Sequence, residues 1–525
     1  MPDRILRPHY RLRDRKRQPA SSIWLSTDDF ANRDDDLFSS SGRNGIEQCD
    51  CDCDCACVPG PEFYQGQVGW QAHGLLQLRN RRPSEILDEA DGVLAETVDN
   101  YTAYIAPHQP GVIVVERDAV QRLLMSPRWL KGMRHFAALL VNLGVLVTRP
   151  APQTLTTWKR ETPVLAAWLH LTDSCNLACS YCYVRPGRQR MSLEMAASAV
   201  QAVFRAAQKH RFSQVKLKYA GGEPTLNFPA LQAAQQQAES LRISNGIAFH
   251  SVVLTNGIGL GAAEVAYLAE HQIGVSLSLD GIDSVHDAQR PRRDGLPGSF
   301  DLTVQAIDRL KSAGIMPHIS ITLTSRNLSG LPVLIDYLLG QGLRFSFNFY
   351  RCQRTNTAQP DDLAPDPQRL VEAMQDAYAR IERQLPPYSL LAGLVDRANL
   401  AAPHERACGK GVNYLVIDPQ GGVTGCQMDL GQPISRIGVD DPLAAVQQYA
   451  GGFNNPSVDS RNCADVGCIW RYRCAGGCPR IAYQHAGNPV ARSPLCEVYQ
   501  ALFPAALRLE ALRLVRYIQP VFTAE

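Results

Sequence analysis

The chain has 525 residues, a net charge of +2, 45% hydrophobic and 20% charged residues. That balance excludes a disordered or fibrous chain and gives no global pull toward nucleic acid or an anionic membrane. The length calls for two to four domains.

No run approaches the ~20 apolar residues of a membrane helix. The N-terminal Arg4, Arg7, Arg11, Arg13, Arg15, Lys16 and Arg17 precede no apolar signal core, so a cytoplasmic location is expected. Sixteen cysteines in such a chain read as metal ligands or catalysts rather than disulfides. Five lie between Cys49 and Cys57, three between Cys175 and Cys182, seven from Cys408 to Cys496, and Cys352 stands alone.

Residues 1–62 lack apolar periodicity and include the alternating run Cys49–Cys57, so they read as a disordered tail. In that run a tethered substrate or substrate mimic is the sharper alternative to bland disorder. Residues 63–150 suggest a small α+β unit. A hairpin is expected at Tyr101–Ile105 and Val112–Val115, followed by two helices with Val120, Leu123, Leu124 and Phe136, Leu139, Leu140, Leu143 at helical spacing, then a strand at Val145–Val147. That order suits a winged-helix-like domain.

Residues 163–350 alternate strands and helices. The expected strands are Ala167–Leu171, Val215–Tyr219, Ala248–Leu254, Val275–Leu279, Ile315–Leu323 and Arg344–Phe349, with an amphipathic helix at Leu193–Ala207. Repeated βα units imply a parallel sheet, here a partial (β/α)6 barrel with its chemistry on loops at the C-terminal strand ends. Residues 351–407 form a linker with a helix starting at Asp366-Pro367, and residues 408–525 a cysteine-rich domain with a closing helix near 501–516.

Cys175-x3-Cys179-x2-Cys182 follows the first barrel strand. Three thiolates on one loop can hold three irons of a [4Fe–4S] cube and leave the fourth open. Zinc would need a fourth ligand close by, and His170 sits within a strand. With Tyr181 inside it, the motif resembles that of the radical S-adenosylmethionine superfamily over about residues 165–350. The resemblance implies S-adenosylmethionine contacts from Tyr181, from Gly221, Gly222 and Glu223 after the second strand, from Thr255 and Asn256 after the third, and from Ser278, Asp280 and Arg290 after the fourth. An ammonium, a carboxylate and a diol call for an acid, a base and hydroxyl or amide groups, which Glu223, Arg290, Ser278 and Asn256 supply. Arg292 and Arg293 compete with Arg290 for the basic role.

Cys408, Cys426, Cys463-x4-Cys468-x5-Cys474-x3-Cys478 and Cys496 resemble the SPASM extension of radical enzymes that modify peptides, although the gap after Cys463 is four residues where the family has two. The resemblance implies two auxiliary [4Fe–4S] clusters, making three in all. Cys408, Cys426 and Cys478 would hold the first, and Cys463, Cys468, Cys474 and Cys496 the second. It further implies a precursor peptide or protein as substrate, a reductant such as flavodoxin or ferredoxin, and a crosslink of thioether or carbon–carbon type. Oxidation of a sulfatase residue is the rival activity, disfavoured because Gln427 and not an aspartate follows Cys426. A non-catalytic, zinc-structured peptide-binding scaffold is the reading from another class.

Overall fold

A computed structural model describes residues 164–351, 362–449 and 455–518, and, in shorter pieces, 22–25, 86–89, 93–106, 111–125, 136–137, 140, 145–149 and 522–523. The Cys49–Cys57 run, Cys352 and much of the second helix expected near 136–143 lie outside the described residues.

Six parallel strands succeed one another: β7 (Val164–His170), β8 (Gln214–Ala220), β9 (Ala248–Thr255), β10 (Gly274–Ser278), β11 (His318–Leu323) and β12 (Phe345–Phe349). Their helices include α2 (Leu193–Lys209), α3 (Phe228–Asn245), α6 (Ser299–Ser312) and α7 (Leu331–Gly340). Ser192 opens α2 by accepting from Met195 N at 3.1 Å, relieving one unsatisfied amide of the first turn. Strand alternation does the sorting. On β8, Val215, Leu217 and Tyr219 join the main core, whereas Lys216 and Lys218 lie on the other face. In register with that second face are Ser276, Ser320, Ser346 and Asn348, where Asn348 donates to Ser320 Oγ at 2.9 Å. That face is therefore polar toward β12 and apolar toward β7, where Ala166, Trp168 and Ala220 cluster.

The sheet exceeds the expected six strands. β13 (Tyr414–Ile417) adds in parallel to the open side of β7, pairing Leu415 with Ala167, and β14 (Gly422–Thr424) and β15 (Ser435–Arg436) continue antiparallel to make nine. The cysteine-rich segment is thus built onto the barrel sheet. The physical cause is the unpaired edge that a partial barrel leaves on its first strand.

In the N-terminal part, β4 (Tyr101–Ile105) and β5 (Ile113–Glu116) form the expected hairpin. They belong to a five-stranded sheet with β3 (Leu94–Val98), β1 (Ser22–Leu25) and β16 (Phe522–Thr523). A further strand, β6 (Leu146–Arg149), pairs with β2 (Ile86–Glu89) in a separate ribbon. Ser22–Leu25 corrects the expectation of disorder across 1–62. Four residues are too short for a periodicity test, and their partners, β5 and β16, are remote in sequence. One face of this sheet buries Ile23, Ile113 and Val115 with α1 (Ala119–Met125). The other packs Val98, Ala103 and Val114 into the main core beside α13 (Cys496–Tyr517). Arg473, fully buried, ties the parts together by donating to Ala106 O at 2.8 Å.

Ile23 is fully buried. Ile23→Ala is expected to destabilise this sheet by about 3 kcal/mol through lost transfer and cavity energy. Amide hydrogen exchange over β4 and β5 checks it, since a disordered tail would leave their protection unchanged.

Candidate active site

The three cysteines after β7 sit on a loop clamped from two sides. From β8, Gly222 N donates to Thr172 O at 2.7 Å and Glu223 N to Ser174 O at 2.8 Å. A Cβ on Gly221 would lie 2.5 Å from Thr172 O, and one on Gly222 2.5 Å from Ser174 O. These glycines are required so that backbone can lie against the cysteine loop. From the segment after α5 (Ser284–Gln289), Ala178 N donates to Pro291 O at 2.8 Å and Ser180 N to Gln289 O at 3.2 Å. Arg293 donates from Nε to Cys175 O and from its guanidinium to Leu177 O, both at 3.1 Å.

Glu223 is buried and engaged by four donors. Its Oε1 accepts from Thr225 N at 3.1 Å and from the Thr225 and Thr255 hydroxyls at 2.7 Å, and its Oε2 accepts from Asn256 N at 2.8 Å. Burial raises its carboxyl above the ordinary range, with those hydrogen bonds opposing. Asn256 donates to Asn176 Oδ1 at 2.7 Å, which places the third strand's loop on the cysteine motif. Thus Glu223, Thr255 and Asn256 share one hydrogen-bonded knot at the strand ends. Ser278 ends β10, half-buried.

Asp280 gathers the remaining residues. Its Oδ2 accepts from the Tyr181 hydroxyl at 2.5 Å and from Arg290 Nε at 2.7 Å, while Oδ1 accepts from Thr322 N at 2.8 Å. The Arg290 guanidinium lies 5.3 Å from the centre of the Tyr181 ring and 4.0 Å from Cys179 Sγ. Asp280 is 2% and Arg290 8% exposed. This separates the three arginines that spacing left open. Arg290 stands beside the thiols, Arg293 braces the loop backbone, and Arg292 turns outward to Asp294.

Burial pushes the Cys175 thiol up to about 11 and the Cys179 thiol up to about 12, with Arg290 opposing at Cys179. Such thiols are poor free nucleophiles at neutral pH. As ligands they suit a metal group, whose own positive charge drives deprotonation.

The seven later cysteines fall into two neighbourhoods. Cys408 and Cys426 are each within electrostatic reach of Cys478. Cys463 has Cys468 and Cys496 as charge neighbours, and Cys474 has all three. The turn between Cys474 and Cys478 explains how adjacent cysteines part company. Ala475, Gly476 and Gly477 take φ of 44°, 75° and 70°, a left-handed run that reverses the chain. Buried Arg461 fixes that turn by donating to Ala475 O and Gly477 O. Among the described residues no group of three or more His, Cys, Asp or Glu side chains is placed to hold a single metal ion. The grouped thiols, Cys463 and Cys474 buried and the other five half-buried, would suit a larger polynuclear group.

Asn176, Thr322 and Asn327 were not anticipated, although Asn176 lies within the cysteine motif. Asn327 donates to Asp280 O at 2.8 Å and to Thr322 O at 2.9 Å. Nothing local marks Thr322 or Asn327, since only the sheet register brings them to Asp280.

Residues 169–333 match the radical SAM superfamily. Mycofactocin maturase MftC of Mycolicibacterium smegmatis is 26% identical over 339 residues, 63% of this chain and 82% of that protein. Pre-heme d1 synthase of Dinoroseobacter shibae is 26% identical over 398 residues, 68% and 92% of the two chains. An uncharacterized protein of Methanocaldococcus jannaschii is 28% identical over 177 residues, a match spanning 34% of this chain and only 59% of that one. The solved structure of native anSMEcpe with bound AdoMet and Cp18Cys peptide superposes with a TM-score of 0.55 at 19% identity, covering 67% of this chain and 99% of that chain. At that identity the likeness speaks for the fold.

Asp280→Asn leaves the Arg290 guanidinium buried without its counter-charge, a loss of about 3–5 kcal/mol. The variant is expected to weaken S-adenosylmethionine binding at least ~10-fold in equilibrium dialysis, whereas Arg292→Ala at the exposed pair stays near the parent. With the clamped three-cysteine loop, the motif order along the strand ends and the match over 169–333, the chain carries a domain of the radical SAM superfamily.

Proposed function

We propose that this chain is an iron–sulfur peptide maturase. In this reading Cys175, Cys179 and Cys182 hold a [4Fe–4S] cluster that, when bound, supplies the electron for reductive cleavage of S-adenosylmethionine to methionine and a 5′-deoxyadenosyl radical. The carrying observation is a loop with three thiols and no fourth, braced beside a buried Asp280–Arg290–Tyr181 group. The protein's own residues orient the ligand. Arg290 presents a guanidinium to the methionine carboxylate. Glu223 offers the remaining acceptor capacity of Oε2 to the ammonium, and Asn256 and Ser278 face the ribose.

In the same reading Cys408, Cys426 and Cys478, and Cys463, Cys468, Cys474 and Cys496, would hold two auxiliary [4Fe–4S] clusters, which when bound would supply an acceptor for the electron left after substrate oxidation. The substrate is a ribosomally made precursor peptide or protein. The extended similarity to mycofactocin maturase MftC supports that choice, as does the cysteine-rich segment built onto the barrel edge. A crosslink, thioether or carbon–carbon, is the proposed product, with a small electron-transfer protein as reductant. Sulfatase-type oxidation is less well served. Gln427 accepts from the Tyr414 hydroxyl at 3.2 Å, and Asp429, the carboxylate next along the chain from Cys426, is already paired with Arg480 and with Lys410 at 3.3 Å. In the described residues no helix is long and apolar enough to cross a membrane.

The test is anaerobic reconstitution followed by dithionite and S-adenosylmethionine. The parent protein is expected to release 5′-deoxyadenosine and Cys179→Ala to release none above background. Iron-loaded parent protein that leaves S-adenosylmethionine intact, with and without candidate peptides, would sink the reading.

A further inference from the structure

Arg397 lies outside every motif, in the segment between the barrel and the cysteine-rich domain. It adopts φ of +58°, a left-handed conformation that is strained for a non-glycine residue. Its side chain is 8% exposed. The nearest carboxylate is Asp396, whose Oδ1 stands 3.8 Å from Arg397 Nε, beyond hydrogen-bond range. Both Asp396 oxygens are already taken by Arg351, at 2.6 and 2.7 Å. Nε of Arg397 is buried without a hydrogen-bond partner. Beyond Asp396, the thiols of Cys478, Cys408 and Cys426 lie within electrostatic reach of this guanidinium.

A buried guanidinium without full pairing is costly, as is the backbone that holds it. Both costs are offset if those three thiols carry negative charge. Of the other cations nearby, Lys410 and Arg480 share the single carboxylate of Asp429 and so leave one positive charge over. Asp396 and Arg351 neutralise each other. An oxidised [4Fe–4S] cube carries two positive charges and three thiolates bring three negative ones, so a single guanidinium makes the assembly neutral.

We propose that Arg397 is the counter-charge of the Cys408–Cys426–Cys478 site and raises the reduction potential of the group held there, so that this site is an electron acceptor. The proposal rests on the auxiliary-cluster reading above. Arg397 acts through the site as a positioning residue and touches no substrate.

The experiment is an electron paramagnetic resonance redox titration of the reconstituted holoenzyme, with iron and sulfide quantified in each variant. Arg397→Leu is expected to keep the parent's iron and to lower the midpoint potential of one auxiliary centre, leaving the other centres unmoved. Arg397→Lys restores the parent value. Asp396→Asn, which keeps Arg397 and removes the negative charge beside it, shifts the same centre upward. Unmoved midpoints in iron-loaded Arg397→Leu overturn the proposal. If that variant cannot be loaded, a downward or absent shift in Asp396→Asn overturns it. Parent protein that takes up only about four irons removes the auxiliary reading itself, a failure distinct from that of Arg397.

Discussion

The candidate site hangs on one buried carboxylate. Asp280 joins four pieces of chain that are far apart in sequence: Tyr181 on the cysteine loop, the end of β10, Arg290 after α5, and Thr322 on β11. Its charge is nearly cut off from water, so each of these contacts is stronger than it would be at the surface, and losing one partner is correspondingly severe. Arg290 is thereby held beside Cys179 instead of swinging into solvent as Arg292 does. The second fixed point is steric. Gly221 and Gly222 bring the backbone after β8 against Thr172 and Ser174, and no larger residue fits there.

Much of this was legible in the sequence, because parallel strands repeat a visible pattern and the chemistry collects at their C-terminal ends. All six barrel strands lie within three residues of their expected starts and ends, and Asp366 caps its helix through the Arg369 amide as the Asp-Pro pair suggests. The motif cysteines, Glu223, Asn256, Asp280 and Arg290 come together as their order along the strands implies. What spacing could not resolve was direction. Arg290, Arg292 and Arg293 are near neighbours in sequence, and only the helix turn ending at Gln289 decides which one enters the site.

The features that escaped are those without a local signature. Ser22–Leu25 is a strand because residues some 90 and 500 positions later pair with it. β13 extends the barrel because β7 has an open edge, and Tyr414–Ile417 alone reads as an isolated apolar run. Arg397 shows nothing in sequence, since its meaning lies in what it faces. The division of seven cysteines into three and four was readable only by resemblance. What the structure adds is a left-handed turn at Ala475–Gly477 that reverses the chain between Cys474 and Cys478.

On the proposed function, ten cysteines form three separate iron-binding groups of three, three and four. Anomalous diffraction from anaerobic crystals, collected at the iron and zinc absorption edges, tests it directly. The account predicts three iron peaks, beside Cys175–Cys179–Cys182, Cys408–Cys426–Cys478 and Cys463–Cys468–Cys474–Cys496, and no zinc. Zinc at either of the later sets, or iron shared across them in another grouping, would contradict it.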